Sequence, residues 1–292
     1  MFTEEPSQQQ ITSLTEEHAE PPAIPAATEA QPTPKPAKKE WWVPWIDVLI
    51  AVAAWIGSVI LLALVPVIYA LPYMIYRIVK LGAPSPEALV SDKMLIFFSV
   101  AGILPTHLLT FVMVWALVSY AGRRPFWKNI DFGWPPNSSH AMTTLVCVAV
   151  AIVLFGLAFV ITMLYGERKT DLDLMIESSI YTRFATAFVA VVTAPLVEEL
   201  IYRGLIYKAL EKAAGVAISI VFVSLLFAGV HVIQYRKNLA VIAVITLLSI
   251  TLTVTRAVTG KVLPAFIIHL VFNGIQSVLI VLSAFVGKDI LK

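Results

Sequence analysis

The chain has 292 residues, 59% hydrophobic and only 14% charged, with a mean hydropathy of +0.83; a soluble domain carries about 25% charged and about 45–50% apolar residues. This surplus excludes an ordinary soluble enzyme or a disordered chain, and a net charge of +2 excludes the polyanion-seeking balance of a nucleic-acid binder. A single cysteine, Cys147, excludes an intrachain disulfide framework or a multi-cysteine zinc site, which leaves an integral membrane protein.

Residues 1–40 stand apart, with seven Glu, three Lys and seven of the eighteen prolines. Such a segment cannot bury enough apolar surface to offset its ordering entropy, so a disordered tail is predicted. It lacks the positive start and apolar centre of a signal peptide. Lys35, Lys38 and Lys39 close it, followed by Trp41, Trp42 and Trp45 as an interfacial aromatic belt. With seven spans and Arg203 set aside, Lys and Arg divide ten to each side, and the lysines flanking the first helix favour a cytoplasmic N-terminus.

A transmembrane helix needs about 20 apolar residues, so uncharged runs map the spans of the domain at 41–292. They number 29 residues between Asp47 and Arg77, 29 between Lys93 and Arg123, and 35 between Asp131 and Glu167. Three more follow: 23 residues between Lys212 and Arg236, 18 between Lys237 and Arg256, and 26 between Lys261 and Lys288. Pro66 and Pro72 are expected to kink the first. Phe184–Val197 gives only 14 uncharged residues, so that helix can span only by taking Glu198, Glu199 and Arg203 into or near the membrane. Open sheets cannot exist in lipid. The prediction is an all-α polytopic bundle of seven helices, or eight if the long first segment divides.

Ionisable groups inside a bilayer cost several kcal/mol each and mark functional sites by default. Three polar clusters lie on separate apolar helices. In EELIYR (198–203), Glu199 and Arg203 stand i,i+4 and can pair along one face, while Glu198 points about 100° away, free to face a cavity. In FAGVH (227–231), the His231 imidazole stands one turn from the Phe227 ring. In HLVFN (269–273), His269 and Asn273 share a face. Taken singly, each has a structural reading: an ion pair, an interfacial histidine, and interhelical hydrogen-bonding glue. Their joint occurrence argues for one shared polar site. Counting from helix ends puts Glu198 and His269 in one half of the bilayer and His231 towards the other.

No HExxH helix, intramembrane Asp pair or Gly-x-Ser-x-Gly elbow is present. Cys147, among TLVCVAV, reads as packing. The remaining carboxylate, two imidazoles and carboxamide suit general-base activation of water with stabilisation of an oxyanion. Glu198, His231 and His269 could also form a two-histidine, one-carboxylate metal set. Neither histidine has an acidic residue close in sequence to orient its second nitrogen, so no metal and no cofactor are expected.

The ordered set EExxxR, FxxxH and HxxxN resembles the CPBP family of intramembrane glutamic endopeptidases, which includes type II CAAX prenyl endopeptidases and bacteriocin-processing or self-immunity proteins. The resemblance covers about residues 184–283. It implies that Glu198 activates water with help from His231, that His269 and Asn273 hold the oxyanion, and that Glu199, Arg203 and Phe227 support them. It also implies a multi-pass protein of a bacterial-type cell membrane, in contact with lipid, acting on peptide or protein substrates with or without a lipid attached. The alternatives are a non-catalytic scaffold or immunity protein of the same fold, or a small transporter, which the lack of an inverted repeat disfavours.

Elsewhere, His107 reads as a packed or hydrogen-bonded residue and His140 as a loop residue just before the third helix. Thr170–Leu174 is expected to form an amphipathic lipid-surface helix, and RRPFWK (123–128) an interfacial anchor. Deleting residues 1–40 is expected to leave the thermal unfolding midpoint and any peptidase activity unchanged, measured side by side with the full chain.

Overall fold

The computed structural model describes residues 43–166, 169–236 and 238–289, without the side chains of Ile233 and residues 286–289. The predicted tail, with Trp41 and Trp42, lies outside the described residues. Ten helices and no strand occur among them: α1 (Val43–Leu81), α2 (Pro86–Val90), α3 (Lys93–Ser119), α4 (Phe126–Asn129), α5 (His140–Tyr165), α6 (Asp171–Ser178), α7 (Ile180–Ala214), α8 (Val216–Tyr235), α9 (Leu239–Thr259) and α10 (Val262–Asp289). Six of these are long and apolar enough to cross a membrane, and α8 adds a 20-residue helix that is apolar over Val216–Val232. All seven predicted spans are therefore helices. The first segment does not divide, because α1 runs as one 39-residue helix through Pro66 and Pro72.

Two apolar clusters organise the bundle. One joins α1, α3, α4, α7 and α8 through Val48, Val114, Phe126, Ile130, Leu200, Ile206 and Phe227. The other joins α5, α9 and α10 through Cys147, Ala151, Leu154, Leu252, Ala265 and Phe272. Helices α7 and α9 bring the clusters together, and the polar residues described below occupy that seam. Cys147 is buried in the second cluster, as expected of a packing residue.

The connections are more ordered than their sequences suggest. Asp92 caps α3 through the N–H groups of Met94 and Leu95, accepts from the Tyr73 hydroxyl, and pairs with Arg77 at 2.6 Å. Burial pushes its carboxyl up, but the Leu95 N–H, the Tyr73 hydroxyl, the Met94 N–H and the Arg77 charge outweigh it and hold the group below the usual carboxylate range. Thr170 and Asp173 form a capping box that starts α6. His140 is the first residue of α5, not a loop residue; Ser139 caps that helix and the imidazole stacks on Trp134 at 4.7 Å.

The RRPFWK run, expected as an interfacial anchor, leads into a packed plug. Phe126 packs edge-on against Phe111, and Ile130, fully buried, lies against Gly204 of α7. A Cβ at Gly204 would run into Ile130 Cγ1 and Cδ1. Only glycine lets the loop approach the helix that carries the acidic motif. Gly204→Ala is therefore expected to destabilise the protein by about 1–3 kcal/mol, the usual cost of overpacking. Combining it with Ile130→Val should recover part of the loss in detergent unfolding curves.

Candidate active site

The acidic motif sits on α7, and α7 is not a uniform α-helix. Val189–Thr193 and Leu200–Ile206 are π-helical and flank the α-helical turn Ala194–Glu199. Such segments often occur at functional sites. At the C-terminal end of each, a backbone N–H bonds five residues back instead of four: Ala194 N–H donates to Val189 O, and Tyr207 N–H to Tyr202 O. The carbonyls of Ala190 and Arg203 thereby lose their usual donors. For Ala190 the next candidate is Pro195, which has no N–H. Side chains from other helices take both carbonyls. Asn273 Nδ2 of α10 donates to Ala190 O at 3.0 Å, and Arg256 Nε of α9 donates to Arg203 O at 3.3 Å.

Between the two π segments stand the two glutamates, and they differ as adjacent helical positions should. Glu199 is fully buried, and its Oε1 pairs with Arg203 at 2.9 Å in the expected i,i+4 bridge. Glu198 keeps a quarter of its side chain exposed. Arg203, also fully buried, donates to the Ser249 carbonyl and hydroxyl at 3.0 Å and to Thr253 Oγ1 at 3.2 and 3.3 Å. Its guanidinium also lies 4.8 Å over the Phe227 ring.

His269 is buried between the two carboxylates. Its Nδ1 lies 3.0 Å from Glu199 Oε1, and its Nε2 lies 3.6 Å from Glu198 Oε2, just beyond hydrogen-bond length. An ionised carboxylate only accepts, so Nδ1 carries the proton donated to Glu199 and the ring is fixed with Nε2 facing Glu198. Asn273, one turn along α10, keeps a second amide N–H beyond the one given to Ala190.

Phe227 is the hub of the second motif. Its ring meets Tyr202 at 5.0 Å, His231 at 4.8 Å and His269 at 6.0 Å. The expected depth mismatch of His231 does not occur. Helix α7 runs to Ala214, and Gly215 turns the chain back into α8. Arg203 and Phe227 each stand twelve residues from Gly215, and Glu199 and His231 each stand sixteen. Imidazole and carboxylate thus come close to one level. His231 Nδ1 is held by the Phe227 carbonyl at 2.8 Å. Among the described residues no hydrogen bond or ion pair joins it to Glu198.

The sequence reading did not single out Ser249, Thr253 and Arg256 on α9, which enclose Arg203. Ser249 and Thr253 at i,i+4, with Arg256 about one turn on, were the available signal. Arg256 is held in turn by Asp131 Oδ2 at 3.1 Å, and Lys208 reaches the same oxygen at 2.8 Å. His107, expected to be hydrogen-bonded, meets Thr193 Oγ1 at 2.7 Å in the first π segment. A groove of about 840 Å³, lined by Met142, Cys147, Val150, Val258 and Ile268 among others, contains none of the motif residues. Among the described residues no three of His, Cys, Asp and Glu are grouped as a metal ion would need.

Residues 180–275 match the family described as Type II CAAX prenyl endopeptidase Rce1-like, and every motif residue falls inside that match. No curated protein and no solved structure matches the chain. The apolar helices and this match point to an integral multi-pass membrane protein in which residues 180–275 are similar to the CAAX-type intramembrane protease family.

Exchanging the two glutamates separately distinguishes their roles. Glu199→Gln strips the buried Arg203 of its counter-charge and is expected to cost about 3–5 kcal/mol, seen as a large loss of folded protein. Glu198→Gln, at the more exposed position, should leave the unfolding midpoint near that of the parent.

Proposed function

We propose that the protein is a membrane-embedded glutamic endopeptidase acting on peptide or protein substrates at or within the membrane, with or without an attached lipid. One observation carries this reading: the buried Glu199–Arg203 pair holds His269 by Nδ1 and leaves its Nε2 facing Glu198, the more exposed of the two carboxylates. Glu198 takes a proton from water as the oxygen bonds to the scissile carbonyl carbon. Glu198 passes that proton to His269 Nε2, 3.6 Å away, and the N–H so formed meets the resulting oxyanion together with the spare amide N–H of Asn273. The proton passes to the leaving nitrogen, the C–N bond breaks, and a carboxylate and an amine depart. His231, close to the level of Glu198, assists the proton transfers. Metal is not required in this scheme, and the N-terminus faces the cytoplasm of a bacterial-type cell.

The test compares purified wild type with Glu198→Ala on a peptide library, with cleavage sites read by mass spectrometry after dialysis against a strong chelator. Cleavage by the dialysed wild type, abolished in Glu198→Ala, is the expected result. Intact peptides with both proteins would favour a non-catalytic scaffold. Activity lost on dialysis and restored by zinc or iron would make Glu198 a ligand. Asn273→Ala is expected to lower kcat by about 10²–10³ with KM nearly unchanged, because an oxyanion donor acts mainly in the transition state.

A further inference from the structure

Hydrolysis at Glu198 consumes one water per turnover, in a site walled by apolar helices. The packing of α7 against α10 offers a route. Along this seam three buried polar atoms have no hydrogen-bond partner among the described residues: Arg183 Nε, Thr186 Oγ1 and Ser277 Oγ. The other two such atoms are Glu199 Oε2, in the site itself, and Ser224 Oγ on α8.

The two helices run antiparallel here, as two bonds establish. Arg183 Nη1 donates to Ser283 Oγ at 3.4 Å, and Asn273 Nδ2 donates to Ala190 O at 3.0 Å. Thr186 stands four residues before Ala190, and Ser277 four residues after Asn273. Their hydroxyls therefore come level on facing helices, about one turn, or 6 Å, from the Asn273–Ala190 bond. One further turn along α10 is His269. Arg183, then Thr186 with Ser277, then Asn273, then His269 form a polar file ending at the two glutamates.

These hydroxyls depart from the habit of the chain. Thr106, Thr144, Thr246, Thr251 and Thr255 each donate to the carbonyl four residues back on their own helix. Thr186 and Ser277 do not, although the same bond was open to them. A buried hydroxyl that forgoes its own helix is stable only when water or another donor–acceptor meets it. Lipid supplies neither.

We propose that the α7–α10 seam binds a file of water molecules, held by Arg183, Thr186, Ser277 and Asn273, that delivers the hydrolytic water to Glu198. The proposal rests on the peptidase reading for the fate of the water, but not for its presence. Thr186 and Ser277 are positioning residues that hold water without touching substrate.

Two measurements on the full-length protein in lipid nanodiscs test it. In a Cys147→Ala background, Thr186→Cys, Ser277→Cys and Leu279→Cys are exposed to silver ion, a small probe that travels only through water. Leu279 lies two residues from Ser277 but faces outward, with half its surface exposed. Thiols at 186 and 277 are expected to react faster than the thiol at 279; equal or slower rates would overturn the file. Separately, Thr186→Val and Ser277→Ala should each lower kcat about fivefold, the worth of one ordinary hydrogen bond. KM and the unfolding midpoint should hold, because neither change removes a protein–protein bond. Fast labelling with unchanged kcat would overturn delivery by this route. A merely structural role would lower the midpoint and leave kcat alone. If wild type cleaves nothing, the peptidase reading fails, and silver accessibility still decides whether the seam is wet.

Discussion

The buried pair of Glu199 and Arg203 is the constraint around which the half of the chain that carries the three motifs is built. A guanidinium taken out of water must find all its partners inside the protein, and an ammonium-sized ion left without them costs several kcal/mol even after relaxation. Arg203 meets that demand with partners from three helices besides its own: Ser249 and Thr253 of α9, the face of Phe227 of α8, and His269 of α10 through the shared Glu199. Apolar helices in lipid have little reason to choose one another, because lipid tails are as apolar as leucine. The arginine supplies the reason. Its bonds select α8, α9 and α10 as neighbours of α7 and fix the rotation of each about its axis.

The two π-helical segments follow from the same economy of polar groups. An extra residue inserted into a helical turn frees a carbonyl, and a freed carbonyl in lipid must be met. Asn273 and Arg256 meet the two carbonyls freed here. The bulges therefore act as sockets that lock α10 and α9 against the helix carrying the glutamates. Asn273 is a clamp by one amide hydrogen and available to a substrate by the other. Arg256 carries the linkage out to Asp131 and so to the Phe126–Ile130 plug, whose close approach Gly204 permits.

How much of this the sequence carried depended on whether the information was periodic. The spans were legible because uncharged runs reflect the thickness of lipid directly, and the Glu199–Arg203 pair because i,i+4 spacing is a property of any helix. The ordering of EELIYR, FAGVH and HLVFN pointed to the family that residues 180–275 match. What stayed hidden was not periodic. Nothing in VAVVT or LIYRGLI announces a π register, since that register is chosen by Pro195 together with donors more than fifty residues away. The level of His231 was counted from helix ends, whereas α7 continues to Ala214 and the chain turns back at Gly215 into α8. That turn brings His231 close to the level of Glu199 through the Phe227 ring, which meets both His231 and His269. The plug at Ile130 was missed because its partner is a glycine, which leaves no apolar signature of its own.

The charges around the site also explain how two adjacent glutamates can take different work. Glu198, Glu199 and Asp131 are answered by Arg203, Arg256 and Lys208, so the set is balanced while His269 is neutral. Two of the three anions are committed: Glu199 to Arg203 and His269, and Asp131 to Arg256 and Lys208. Glu198 alone has no cation within bonding distance among the described residues and retains exposed surface. In the proposed reaction it is the carboxylate left to meet water. In that reaction the proton that Glu198 passes to His269, which already donates through Nδ1, leaves the set net positive beside the re-ionised Glu198. In a medium of low dielectric that excess charge has no solvent to screen it, so the field is strongest where a tetrahedral oxyanion would form. The rigidity of the Glu199–Arg203 pair then matters for chemistry as well as for folding, since a preorganised charge need not reorient at the moment of reaction.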